Sequence, residues 1–104
     1  MNESDWKSFR KHVPEWRERY LEKKNQEIVA LLTDKGKTPT QQFWDAEKQM
    51  AKEARILTQC LDDHSRSRMN FHLILMYRYG MIHDEDLGVF SKELQEFILR
   101  AGPE

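Results

Sequence analysis

The sequence predicts an all-α, single-domain helical bundle: a short N-terminal helix followed by four longer, mainly antiparallel helices. Three observations lead there. Apolar residues recur at helical spacing through most of the chain. Turn chemistry (Gly36 to Thr40, GKTPT; Gly80; Gly102-Pro103) falls between those segments rather than inside them. FHLILMYRY alone reads locally as a strand, and no second strand exists to pair with it.

The first helix is expected over 4–13, with Ser4 as N-cap and Asp5 in its first turn. Trp6, Phe9 and Val13 make its narrow apolar stripe. Pro14 interrupts, and because proline suits a first helical position, a second helix is expected over 14–35, closed by Gly36. Its broad face mixes Trp16, Tyr20, Leu21, Ile28, Leu31 and Leu32 with Arg17, Lys24 and Glu27. A third helix over 39–62 starts with Thr38 as cap and Pro39 at N1. At 100° per residue, Phe43, Ala46, Glu47, Met50, Ala54, Leu57 and Leu61 share one sector about 100° wide, the cleanest amphipathic pattern in the chain. Phe43, Met50 and Leu57 are spaced by seven, which suits near-parallel packing.

Asp62, Asp63, Ser65 and Ser67 prefer caps to helix interiors, so a break is expected near 62–66 and a fourth helix over 66–79. One continuous helix from 40 to 79 stays open, since no Gly or Pro divides it. Met69 to Tyr79 is apolar nearly all round, which predicts burial nearly all round. A last helix is expected over 84–101, with Leu87, Phe90, Leu94, Phe97, Ile98 and Ala101 on its inner sector.

Bulk properties narrow the function classes. A chain of 104 residues with 34% charged residues and net charge −1 has no general attraction for nucleic acid or anionic membrane. Charge is uneven: residues 1–37 carry +2 and residues 83–104 carry −4. Cys60, the lone cysteine, excludes an intrachain disulfide and a cysteine-based zinc site. The polar start MNESDWKSFRK is not a secretory signal, and no run is apolar for the roughly 18–20 residues of a membrane span. A cytoplasmic location is the simplest expectation.

Several constellations have the residue types of a site. His64, His72 and His83, with Asp62, Asp63 and Asp84, could ligate a metal or do acid–base work. His83-Asp84 resembles the His-Asp pair of the all-α HD phosphohydrolases, which implies a metal held by a separate His, that pair and a later Asp. Only Asp86 follows, and it is too close. Glu15/Glu18 and Glu93/Glu96 resemble the ExxE helices of all-α nucleotide pyrophosphohydrolases, but the acidic partners at the expected distance are missing. Glu47, inside an apolar sector, needs a partner such as Arg66, Arg68, His72 or Arg78. The catalytic form of this reading is one cleft lined by Glu47, His72 and Arg68.

Arg66, Arg68 and Arg78, interleaved with Phe71, Tyr77 and Tyr79, have the composition of an RNA-stacking surface. The opposing reading is a helix junction in which arginines pair with Asp62, Asp63 or the acidic last helix. RYGMIHDEDL resembles a helix–turn–helix connection. The recognition helix it implies is too acidic for DNA.

Surplus apolar surface remains. Trp44, Ile56 and Cys60 lie outside the apolar sector of the third helix, and Val89 and Leu99 outside that of the last. A second covered face is expected there, supplied by a second copy or another helical protein. The leading expectation is therefore a non-enzymatic interaction module, homodimeric and without cofactor. A small metal-dependent hydrolase (His64, His72, His83, Glu47) and an RNA-binding or ribosome-associated protein (Arg66, Arg68, Arg78) are the alternatives.

Overall fold

The computed structural model describes residues 2–103. They form α1 (Glu3–Leu32), α2 (Pro39–Leu61), α3 (Met69–Arg78) and α4 (Lys92–Ala101), with 3-10 segments at Arg66–Arg68 and Asp84–Val89. Among the described residues there is no strand, and no helix is long and apolar enough to cross a membrane.

The helices expected at 4–13 and 14–35 are one uninterrupted helix, and it begins behind Asn2, not Ser4. The Asn2 side chain accepts the Ser4 N–H at 2.8 Å. Proline inside a helix removes one hydrogen bond and crowds the carbonyl four residues back, a cost of about 3 kcal/mol. Here Pro14 is exposed, while Phe9, Val13, Trp16 and Tyr20 are buried on either side of it and hold one continuous stripe against the core. Packing therefore overrides the local break. The helix ends at Leu32, short of Lys35. Thr33 donates its hydroxyl to the Val29 carbonyl, and Asp34 accepts the Gly36 N–H, so Thr and Asp close the turn.

α2 starts with a reciprocal cap. Thr38 Oγ1 accepts the Gln41 N–H, Gln41 accepts the Thr38 N–H, and Pro39 occupies the first turn. It stops at Leu61, where Asp62 turns extended and Asp63 takes a left-handed φ of 61°. Residues 40–79 are thus two helices. The last predicted helix is also divided. Asp84–Val89 is a 3-10 segment capped by Asp86, which accepts the His83 N–H at 2.7 Å, and α4 begins only after Ser91.

Side chains from distant positions hold α4 at both ends. Asp5, almost fully buried, accepts the Ser91 N–H and hydroxyl, each at 2.7 Å. At the other end Arg78 donates to the carbonyls of Gly102 (2.7 Å) and Ala101 (3.1 Å).

The molecule measures 52 × 24 × 24 Å. A head contains Phe9, Trp16, Leu73, Met76, Met81, Ile82 and Ile98, all buried. From it the outer halves of α1 and α2 project as a helical hairpin, the arm, in which Val29, Leu32, Phe43, Trp44 and Met50 are all exposed. In place of an even bundle, only two helices pair here. α3 is not covered on all sides. Met69, His72, Leu73 and Met76 are buried, but Phe71 and Tyr79 face solvent because no element lies outside them.

A candidate interaction surface on the arm

α1 and α2 are joined through polar atoms at the root of the arm. Tyr20 donates its hydroxyl to Glu53 Oε2 at 2.5 Å, and Gln49 Nε2 donates to Glu53 Oε1 at 3.1 Å. Lys24 Nζ is 3.7 Å from the same carboxylate. Glu53 is nearly solvent-free, so this network supplies the counter-charge and donors that a buried carboxylate requires. Burial, followed by the Glu53 hydrogen bond, raises the Tyr20 hydroxyl well above its ordinary range, so it stays a donor.

This junction sets the rotation of α2. Its inward residues are Ala46, Glu53, Ile56 and Cys60, all buried. The apolar stripe of Phe43, Met50 and Ala54 lies about a quarter-turn away at 100° per residue. Near the head the stripe is half-buried, at Leu57 and Leu61, which pack against the core. Further out it is bare: Phe43 and Met50 are each 57% exposed. With Leu32 of α1 and Ala46, Glu47, Ala51 and Ala54 they line an open groove along one flank of the arm. Trp44, 60% exposed, stands edge-on to Phe43 with ring centroids 5.0 Å apart.

Two of the expected interface residues are therefore core. Ile56 and Cys60 are on the side of α2 that faces its intrachain neighbours, and burial raises the Cys60 thiol to about 11. Val89 is half-buried against the core. Trp44 and Leu99 are exposed, one on the arm and the other on α4.

Of the three residues expected to share a catalytic cleft, His72 and Arg68 line one surface pocket beside Asp62 and Phe71, and Glu47 is remote from it. Glu47 lines the arm groove. His72 is buried in the head, its Nε2 3.0 Å from the Asp62 carbonyl and its Nδ1 3.1 Å from the Arg68 carbonyl. Glu47 precedes Asp62 by fifteen residues of helix, roughly 22 Å. Arg68 turns its guanidinium over Phe71, at 5.5 Å. Burial first, then nearby His64, lowers the His72 pKa.

His64 and His72 do lie together, ring centroids 4.6 Å apart, with His64 Nε2 2.7 Å from the Cys60 carbonyl. His83 and Asp84 sit elsewhere, and Asp84 accepts the Tyr77 hydroxyl at 2.6 Å. Among the described residues no three His, Cys, Asp or Glu side chains converge on one point.

The arginines also diverge. Arg66 makes a two-point hydrogen bond to Glu3 (2.9 and 3.1 Å) above Trp6, Arg78 caps α4, and Arg68 is on Phe71. The pairing expected of Arg66 and Arg68 with Asp62, Asp63 or the acidic last helix is not formed: Arg66 ties to Glu3 of α1, and it is Arg78 that reaches the last helix, at its terminal carbonyls.

Sequence reasoning missed Asp5, Glu53 and the contact of Arg19 with Asp86 (2.6 and 3.0 Å) and the Met81 carbonyl (3.0 Å). Each is a pairing across 33 residues or more with no local pattern. The one available signal was Glu53, an acidic residue beside the apolar sector of α2. Comparison with protein-family models, curated proteins and solved structures gives no match.

Proposed function

We propose that this chain is a non-enzymatic helical interaction module, and that its working surface is the apolar flank of the arm, covered by a second copy of the chain. The supporting observation is the mismatch along α2. Its best apolar stripe, Phe43 and Met50, faces solvent, while the buried Glu53 faces α1. A sequence that needed only the hairpin would place its apolar residues inward.

Magnitudes agree with self-association. Val29, Leu32, Phe43, Trp44 and Met50 each expose about half of their surface. For side chains of about 150–250 Å² this leaves on the order of 500 Å² of apolar area. A stable interface buries about 800 Å² per partner, so these five would supply a little over half of it and the side chains around them the rest. Two paired arms make four helices, an arrangement that encloses an apolar seam. Glu47, inside the groove, then acts as a register mark, a polar group tolerated in one alignment and costly in others.

Light scattering on the purified chain across micromolar concentrations tests the reading. Wild type is expected to show twice the chain mass. Phe43→Glu and Met50→Glu are expected to be monomeric with unchanged helical circular dichroism, because both positions are exposed in the single copy. A monomeric wild type at high micromolar concentration overturns the proposal, as does a dimer indifferent to both substitutions. Binding of the arm to lipid vesicles in place of self-association would also overturn it.

A further inference from the structure

The arm has a second flank, and it is basic. Lys48, Lys52 and Arg55 lie about a quarter-turn from the buried row of α2, on the side away from Phe43 and Met50. With Leu31 of α1 and Gln49 they border a groove along that side. All three are exposed, and among the described residues none has a carboxylate within 4.0 Å. Asp45, the acid bordering the same groove, is paired with Lys37. Like charges three and four residues apart on one helix face repel, so this row opposes the helix that carries it. We infer that the row binds the phosphates of a single-stranded nucleic acid.

The row leads to an aromatic ring. Gln59 continues it by four residues and accepts the Tyr79 hydroxyl at 3.2 Å, which sets that ring, 40% exposed, at the inner end. Lys23 of α1 borders the same small pocket as Tyr79. It too is exposed and, among the described residues, has no carboxylate within 4.0 Å. The other long basic side chains of that pocket are already answered. Arg19 is bound to Asp86, and Lys24 stands 3.5 Å from Glu27 and 3.7 Å from Glu53.

The exposed ring selects among polyanions. A single strand can lay its phosphates on the cations and stack a base on Tyr79, whatever its sequence. A duplex hides its base faces, and an acidic helix has none. The chain as a whole carries −1, so the attraction is confined to this flank. The apolar groove lies on the other flank, so the two surfaces do not compete.

Fluorescence anisotropy of the full chain with labelled oligouridine and oligothymidine, each about 12 nucleotides long, tests the inference. Wild type is expected to bind, with a Kd that rises steeply between about 50 and 200 mM salt. Lys48→Gln, Lys52→Gln and Arg55→Gln together are expected to weaken binding at least about tenfold and to lower the log–log salt slope by about 2. Tyr79→Leu is expected to cost about five- to hundredfold with the slope unchanged. A charge-matched control on the head, Lys7→Gln with Lys11→Gln and Lys92→Gln, should bind as wild type does. Tighter binding of the uridine strand names RNA as the source and of the thymidine strand DNA, and either sustains the inference. No binding at about 50 mM salt overturns it, as does an equal loss in the control. Tighter binding to polyglutamate or to phosphatidylserine vesicles overturns it as well. Self-association is not required for any of these outcomes.

Discussion

Tyr20 and Glu53 join the two long helices: a buried hydroxyl on α1 donates to a buried carboxylate on α2 where the head gives way to the arm. Removing the donor alone leaves the carboxylate with Gln49 and a more distant Lys24. Tyr20→Phe is therefore expected to cost about 1–3 kcal/mol of unfolding free energy. Tyr20→Phe with Glu53→Met is expected to cost less than the sum of the single changes, because no buried charge is left without a partner. Urea denaturation of the four chains gives the coupling directly.

Pro14 interrupts the hydrogen-bond ladder of a 30-residue helix at an exposed position. Pro14→Ala restores the N–H and removes the ring from the turn before it. Stability is expected to rise by about 1–3 kcal/mol, read as a higher denaturation midpoint with an unchanged slope. A loss of stability would mean that the surrounding packing requires the proline geometry.

His72 links folding to pH. Its pKa is lowered in the folded chain, chiefly by burial, so below about 6.5 the unfolded chain binds the proton more readily. The contribution of neutral His72 is complete above that pH and is lost as pH falls toward the folded value. A neutral ring carries one N–H yet lies against the carbonyls of both Asp62 and Arg68, and only that one nitrogen can donate. The wild-type midpoint in urea should fall between pH 7.5 and 5 more steeply than that of His72→Gln. Equal slopes would show that His72 does not carry the effect.

Cys60 has no exposed surface, and burial holds its thiol near 11. At pH 8 the folded chain should react with an aromatic disulfide reagent far more slowly than the chain in urea, since the thiolate is the attacking species. Rapid native reaction would place Cys60 within reach of solvent and against its assignment to the core.

The all-helical class was legible because its signals are local. Thr38, Pro39 and Gln41 mark the start of α2 within four residues, and Gly80, with a left-handed φ of 80°, follows α3. Pro14 misled because its local cost is smaller than the packing of Phe9, Val13, Trp16 and Tyr20 across it. The rotation of α2 was illegible for another reason. Periodicity locates the apolar stripe at Phe43 and Met50, but it does not say whether the chain covers that stripe itself. That depends on Glu53 finding Tyr20, a pairing 33 residues apart.

α1 belongs to both parts of the molecule. Its first half is the spine of the head, anchored through Asp5 to the start of α4, and its second half is one rail of the arm. Roughly 45 Å of continuous helix, with one hydrogen bond missing at Pro14, runs through both. The same helix that carries the exposed flank of the arm thus also supplies the carboxylate that caps α4.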